Sequence, residues 1–162
     1  MPKVILRCGK LCAGKTSYAR RLMERSPAVL LSTDDLMLRM FPAPLGEQYD
    51  IVCGRAQRYL WERALDIVRV GADVIFEGMS WKRAERQAAR VYFREWGIPV
   101  ELHYLNVPDA QWQMNIARRN QEATQGSTNA YYADEGLLQK CLSLFESPGP
   151  EEVDVLVYES EV

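Results

Sequence analysis

Gly9-Lys10-Leu11-Cys12-Ala13-Gly14-Lys15-Thr16 matches the pattern G-x-x-x-x-G-K-[ST] at every fixed position. It follows the apolar run Val4-Ile5-Leu6 and opens a stretch with helical periodicity, the strand–loop–helix setting that the pattern requires. Glycines let the backbone curl so that successive N–H groups converge on a phosphate chain. The N-terminus of the helix behind them adds partial positive charge. Phosphate contacts are therefore expected from Gly9, Lys10, Leu11, Cys12, Ala13, Gly14, Lys15, Thr16 and Ser17. Lys15 would reach the β- and γ-phosphates, and Thr16 would offer its hydroxyl to Mg²⁺. The cofactors implied are ATP and Mg²⁺. A thiol at a helix N-terminus can be acidified, but Cys12 has no resolving partner and reads more simply as a tolerated side chain at a variable position.

Outward from this loop, apolar runs alternate with helical periodicities. Lys3 to Cys8 reads as a short buried strand. Lys15 to Arg25 follows as a helix, stopped at Ser26-Pro27. Ala28 to Ser32 is a second strand, with Thr33-Asp34-Asp35 at its carboxyl end, the edge where open α/β sheets bind ligands. A short helix over Leu36–Met40 and a loop with two prolines lead to a long amphipathic helix, Glu47–Val70. Its inner stripe is read as Val52, Ala56, Tyr59, Leu60, Ala64, Ile67 and Val68, with Trp61 off the stripe. Asp73–Phe76 is a third strand running into Glu77-Gly78. The next helix is expected to be capped at Ser80 and to turn Ala84, Ala88, Val91, Tyr92 and Trp96 inward. Val100–Leu105 is a fourth strand, and Pro108 opens a helix expected to end near Asn120. Gln121–Ala130 is polar, contains Gly126, and reads as a mobile loop. A last helix, Asp134–Phe145, and a fifth strand, Val153–Tyr158, complete the chain. Strands alternating with helices predict βαβ units and a parallel sheet, and right-handed crossovers place helices on both faces. The fold expected is a three-layer α/β sandwich, and residues 1–162 are read as one domain.

Composition narrows the function. The chain has 162 residues, 48% hydrophobic, with a net charge of −2, so no overall basic field draws it to nucleic acid. Charge is uneven: Arg7, Lys10, Lys15, Arg20, Arg21 and Arg25 crowd the first segment, which suits a polyphosphate. Four cysteines without C-x-x-C spacing and a single histidine, His103, exclude a zinc set of ordinary spacing. Free thiols suggest a reducing cytoplasm. Met1-Pro2-Lys3 runs straight into the first strand, so no secretory leader is expected, and no apolar run approaches a membrane span.

Phosphoryl transfer to a hydroxyl needs an acceptor for its proton, in-line placement and neutralised charge. Asp34 sits where such a base would stand, while Asp35 reads as either a second functional carboxylate or a helix cap. Glu77 ends an apolar strand before glycine, which delivers a carboxylate beside a metal or a substrate. Arg118 and Arg119 stand at the edge of the polar loop, where a guanidinium can close over a triphosphate; Arg119 is the first choice. Arg83 and Arg86 are candidates for the same cleft, and His103 reads as structural.

The chain resembles the small AAA-type "predicted kinase" family of P-loop phosphotransferases, related to phage polynucleotide 5′-hydroxyl kinases, zeta toxins and chloramphenicol phosphotransferase. The likeness runs through Gly9–Thr16, Ser32–Leu36, Val74–Gly78 with Trp81–Arg86, Leu105–Asp109, Ala117–Asn120 and Phe145–Glu152. It implies a P-loop kinase with a five-stranded sheet in order 2-3-1-4-5, a short arginine-bearing lid at about 118–134, and the acceptor base at Asp34. Two positions depart from the pattern. The polynucleotide kinases carry arginine three residues after that aspartate, where this chain has Met37, and many relatives have aspartate in place of Glu77. The resulting expectation is transfer of the ATP γ-phosphoryl group to a hydroxyl of a small molecule. The rivals are a polynucleotide 5′-hydroxyl kinase, a toxin-like kinase acting on a nucleotide sugar, and a nucleotide-switch or regulatory ATPase that transfers nothing. The last is disfavoured by the lack of an N-K-x-D string and of a paired Asp-Glu after the third strand.

Overall fold

A computed structural model of the chain describes residues 1–126 and 132–158. Five parallel strands, β1 (Val4–Cys8), β2 (Ala28–Ser32), β3 (Asp73–Glu77), β4 (Val100–Leu105) and β5 (Val155–Val157), lie in the order β2-β3-β1-β4-β5. The connecting helices are α1 (Lys15–Arg25), α2 (Thr33–Met40), α3 (Tyr49–Arg69), α4 (Arg83–Glu95), α5 (Asp109–Thr124) and α6 (Glu135–Leu144). Class and sheet order are those expected of a P-loop kinase fold. No helix among the described residues is long and apolar enough to cross a membrane.

Side chains alternate across the strands, so each strand feeds two cores. Val4, Leu6, Cys8, Val74, Phe76 and Leu102 face one side and pack with Leu60, Ala64 and Leu65 of α3 and Ala89 and Phe93 of α4. Ile5 and Ile75 face the other side and meet Ala19, Leu22 and Met23 of α1. Leu105, Val107 and Val157 continue that second core toward Tyr18 of α1 and Trp112 of α5. Each fully buried Phe, Ile or Leu contributes roughly 1.5–3 kcal/mol, so the two cores together hold the three layers.

The amphipathic faces differ in detail from the periodicity. On α3 the buried positions are Cys53, Gln57, Leu60, Ala64 and Leu65, while Tyr59 is exposed and carries Arg63 over its ring. Trp61 packs inside, against Tyr92 and Phe93. On α4 the buried side chains are Arg86, Ala89 and Phe93; of the expected inner set only Tyr92 packs against the core, and Val91 and Trp96 are exposed. The reason is Arg86. Hydrophobicity puts an arginine outside, but this one has enough partners to be buried, and it occupies a place on the inner face of the helix. The cap of α4 is Lys82 rather than Ser80: the Glu85 carboxylate accepts from the N–H groups of Trp81 and Lys82, at 3.0 and 3.1 Å. Helix α5 continues to Thr124, beyond the expected end at Asn120, so Arg118 and Arg119 lie within the helix and not at its break. Of the expected lid, residues 127–131 lie outside the described residues.

Candidate phosphate-transfer site

Three elements converge at the carboxyl edge of the sheet: the β1–α1 loop, the β2–α2 junction and the end of β3. The loop is packed hard against the strand beside it. A β-carbon at Gly9 would stand 2.9 Å from the Leu105 carbonyl oxygen, closer than real contacts allow, so only glycine fits. Cys12 adopts a left-handed conformation at φ 64°, which a side chain enters at a cost of about 1–2 kcal/mol, and its thiol is buried. Burial pushes the Cys12 thiol pKa up, against the opposing charges of Arg119 and Lys15. The thiol is therefore not acidified.

Lys15 opens α1 and turns its ammonium back into the loop, donating to the carbonyls of Gly9 at 2.6 Å and Lys10 at 3.1 Å. The Trp81 ring lies 5.2 Å from the same nitrogen. Burial, and after it the charge of Arg7, lowers the Lys15 pKa to about 8. Thr16 and Ser17, next in the first turn, are exposed.

Asp34 stands at the start of α2, against the turn after β3: a β-carbon at Gly78 would lie 3.4 Å from Asp34 Oδ1. Burial and then the neighbouring Glu77 raise its pKa, opposed by Lys15 and Arg7. These shifts record that Asp34, Glu77 and Lys15 share one electrostatic site. Asp35 is directed differently. Its carboxylate pairs with Arg39 at 2.9 Å on the exposed side of the helix, and the cap of α2 is Ser32, whose Oγ accepts from the Asp35 N–H. Thr33, buried between them, bonds to Gln57 of α3 and holds the junction to that helix.

Glu77 faces Arg7, whose Nη2 is 3.4 Å from Glu77 Oε1. Arg7 is almost wholly buried, on β1 directly below the loop; its Nε donates to the Phe76 carbonyl at 3.3 Å and its Nη1 to the Lys15 carbonyl. Sequence reasoning counted Arg7 only among basic residues. Its signal was a charge inside an otherwise apolar strand.

The two candidate arginines of α4, Arg83 and Arg86, lead away from the cleft. Arg83 forms an exposed pair with Glu151 at 3.0 Å. Arg86 joins Glu152 through Nε and Nη2, at 3.1 and 3.3 Å, and donates through Nη1 to the carbonyls of Ser80, Trp81 and Glu146 at 3.0–3.2 Å. It ties the Phe145–Glu152 segment to the turn that carries Glu77 toward α4. On α5, Arg118 is exposed and Arg119 is half-buried, on the side from which its charge acts on Cys12.

Two further side chains of α5 reach the loop. Trp112 Nε1 donates to the Leu11 carbonyl at 2.7 Å, and Asn115 Nδ2 donates to the Cys12 carbonyl at 2.9 Å. Neither was legible in the sequence, because a tryptophan and an asparagine on a polar helix carry no motif.

The group that a nucleotide kinase would add is Mg²⁺. Among the described residues no cluster of three or more His, Cys, Asp or Glu side chains could cage a metal. The donors present, the Thr16 hydroxyl and the Glu77 carboxylate, are hard oxygens. They fit an ion that takes one or two protein ligands and fills the rest of its shell with water and phosphate.

A family model described as an AAA domain matches residues 4–148. Among solved structures, a gluconokinase from Sinorhizobium meliloti superposes with a TM-score of 0.64 at 18% identity, over 99% of this chain and 85% of that one. Kti12 from Chaetomium thermophilum, in complex with ADP-AlF3, gives a TM-score of 0.68 at 13% identity, over 98% and 89%. The Pnkp1/Rnl/Hen1 RNA repair complex gives 0.64 at 15%, over 88% of this chain and 43% of that one. At these identities the likeness is one of fold. No curated protein matches the chain.

Proposed function

The chain belongs to the AAA domain family, and from that premise we propose that it is an ATP- and Mg²⁺-dependent kinase that phosphorylates a hydroxyl of a small molecule. The observation that carries this reading is the placement of Lys15, folded into the loop, at the sheet edge where Asp34 and Glu77 stand on adjacent strand ends. In this reading the loop amides and Lys15 bind the β- and γ-phosphates. A bound polyphosphate would replace the Gly9 and Lys10 carbonyls as partners of the Lys15 ammonium and hold it protonated. Thr16 and Glu77 are the residues that would hold Mg²⁺, which when bound would neutralise charge on the polyphosphate.

Asp34 orients the acceptor hydroxyl and takes its proton. Its raised pKa makes it a stronger base than an ordinary carboxylate. The acceptor oxygen forms a bond to the γ-phosphorus, the bond from that phosphorus to the bridging oxygen breaks, and ADP leaves. Arg119 stabilises the charge that develops on the transferring group. Asp35, paired with Arg39, takes no part in transfer, and Arg83, paired with Glu151, is the weakest of the substrate candidates.

A small acceptor is favoured over a polynucleotide by the side chains near Asp34. Met37 is buried, Cys53 and Met79 meet at 4.0 Å between their sulfurs, and the charges acting on Cys53 are those of Asp34, Asp50 and Glu85, all acidic. Acidic neighbours and buried sulfur side chains beside Asp34 suit a small acceptor better than a phosphodiester backbone.

The test is ADP release measured with ATP alone, with a library of hydroxyl compounds, and with a 5′-hydroxyl oligonucleotide. Acceleration by a small hydroxyl compound, lost in Asp34→Asn and Lys15→Ala, is the expected result. Acceleration by the oligonucleotide alone would replace this reading with a polynucleotide kinase. Turnover that no acceptor changes and Asp34→Asn leaves intact would replace it with a regulatory ATPase.

A further inference from the structure

Helix α5 runs beside the phosphate loop and holds it residue by residue. Lys10 Nζ lies 4.6 Å from the centre of the Trp112 ring and 3.8 Å from Asp109 Oδ1. The Leu11 carbonyl takes the indole N–H of Trp112, and the Cys12 carbonyl takes the amide of Asn115. Asn115 is 5% exposed, and its oxygen is in turn held by Gln111 Nε2 at 2.9 Å. Asp109, Trp112 and Asn115 are spaced three apart, so three successive loop residues meet three side chains on one face of the helix.

The direction of these bonds matters. A trans peptide is planar, and its C=O and N–H point to opposite sides. With the Leu11 carbonyl turned out toward Trp112, the Cys12 N–H is turned into the loop. With the Cys12 carbonyl turned out toward Asn115, the Ala13 N–H also faces inward, where it donates to the Lys10 carbonyl at 3.1 Å. The left-handed backbone of Cys12 is a strained state that persists only if its surroundings over-determine it. The two α5 donors do so.

We propose that Trp112 and Asn115 are positioning residues that hold the phosphate loop in its binding shape, and that through them α5 sets the height of Arg119 above that loop. Arg119 follows Asn115 by four residues and shares its helix face. The two α5 donors thus fix two parts of the site together: the backbone shape of the loop and the position of the helix that carries Arg119. Neither side chain touches the substrate. The inference rests on the nucleotide-binding reading of the loop.

The experiment uses Trp112→Phe, which keeps an aromatic ring but loses the donor, and Asn115→Asp, which keeps the shape but loses the N–H. Each should weaken calorimetric binding of Mg²⁺-ADP about tenfold, the scale of one buried carbonyl left unsatisfied. Asn115→Gln, which keeps a donor, should recover part of the loss. A second readout needs no nucleotide: the rate of iodoacetamide alkylation at each cysteine, followed by peptide mass spectrometry. Release of the loop should accelerate Cys12 several-fold while Cys8 and Cys53, buried in β1 and α3, keep their rates. Unchanged ADP affinity in both variants overturns the proposal. So does parallel acceleration of all the cysteines, which marks general loosening. If Asn115→Asp fails to fold, Trp112→Phe decides alone. A wild-type protein that binds no ADP defeats the nucleotide reading, and the alkylation pattern then still tests the brace.

Discussion

The Nη2 of Arg7 and the Oε1 of Glu77 stand 3.4 Å apart, yet that nitrogen makes no hydrogen bond among the described residues, while Nε and Nη1 each donate to a backbone carbonyl. Arg7 thereby joins the strand under the loop to the carboxylate at the end of the neighbouring strand. Burial alone pulls the Arg7 pKa down, and Glu77 is the largest influence opposing it.

Arg7→Ala should therefore destabilise the protein by about 3 kcal/mol, because it removes a buried donor to the carbonyls of Lys15 and Phe76 and leaves Glu77 without its cation. Arg7→Met should lose less, since it refills the space in an apolar strand. Urea denaturation of both variants checks this; equal stability of wild type and Arg7→Ala would mean the pair is structurally idle.

The two aspartates of α2 should behave differently. Asp34→Asn is expected to leave nucleotide binding nearly intact and to lower transfer at least about 10²-fold, the scale of a positioned acid–base group. Asp35 makes an exposed pair with Arg39, of a kind worth about 0–1 kcal/mol, so Asp35→Asn should change stability and rate little. Steady-state rates of the two variants in the reverse order would mean that the other carboxylate is the base.

Arg86 and Arg83, one turn apart, also separate. Arg86→Ala should destabilise by about 3–5 kcal/mol, because it strips a buried guanidinium from Glu152 and three carbonyls. Arg83→Ala, at an exposed pair, should fall within about 1 kcal/mol of wild type. Thermal and urea unfolding of both would expose an error in this assignment if the losses came out alike.

His103 makes stability depend on pH. It is buried between Tyr18, 2.8 Å from its Nδ1, and Glu101, 2.9 Å from its Nε2; Lys3 in turn holds Glu101. Burial lowers its pKa below the ordinary 6.5, outweighing Glu101, which favours the charged ring. The unfolded chain thus binds the proton more readily than the folded one. Stability contributed by the neutral ring is complete above 6.5 and is lost as pH falls from there through the folded value. Urea midpoints between pH 7.5 and 5.5 should drop in the wild type and drop less in His103→Gln. Equal slopes would remove His103 as the cause.

Some of this was written locally in the chain. The loop Gly9–Thr16 could be read without any tertiary information because its glycines, lysine and hydroxyl act through contiguous backbone, and the alternating strands and helices followed from periodicity. The sheet order came through resemblance to relatives, and the strand pairings agree with it. What the sequence could not determine was which side chains meet across long separations. Arg86 was read as a candidate for the cleft, because its place after Glu77 is local information, whereas its burial depends on partners sixty and more positions away, Glu146 and Glu152. Arg7 interrupted a strand without indicating that Glu77 would stand beside it. Trp112 and Asn115 acquired a role only when the chain returned α5 to the loop, some hundred residues after it. Local pattern sets the phosphate loop; its support is tertiary, because hydrogen bonds to a buried carbonyl come from whichever donor the fold brings within reach.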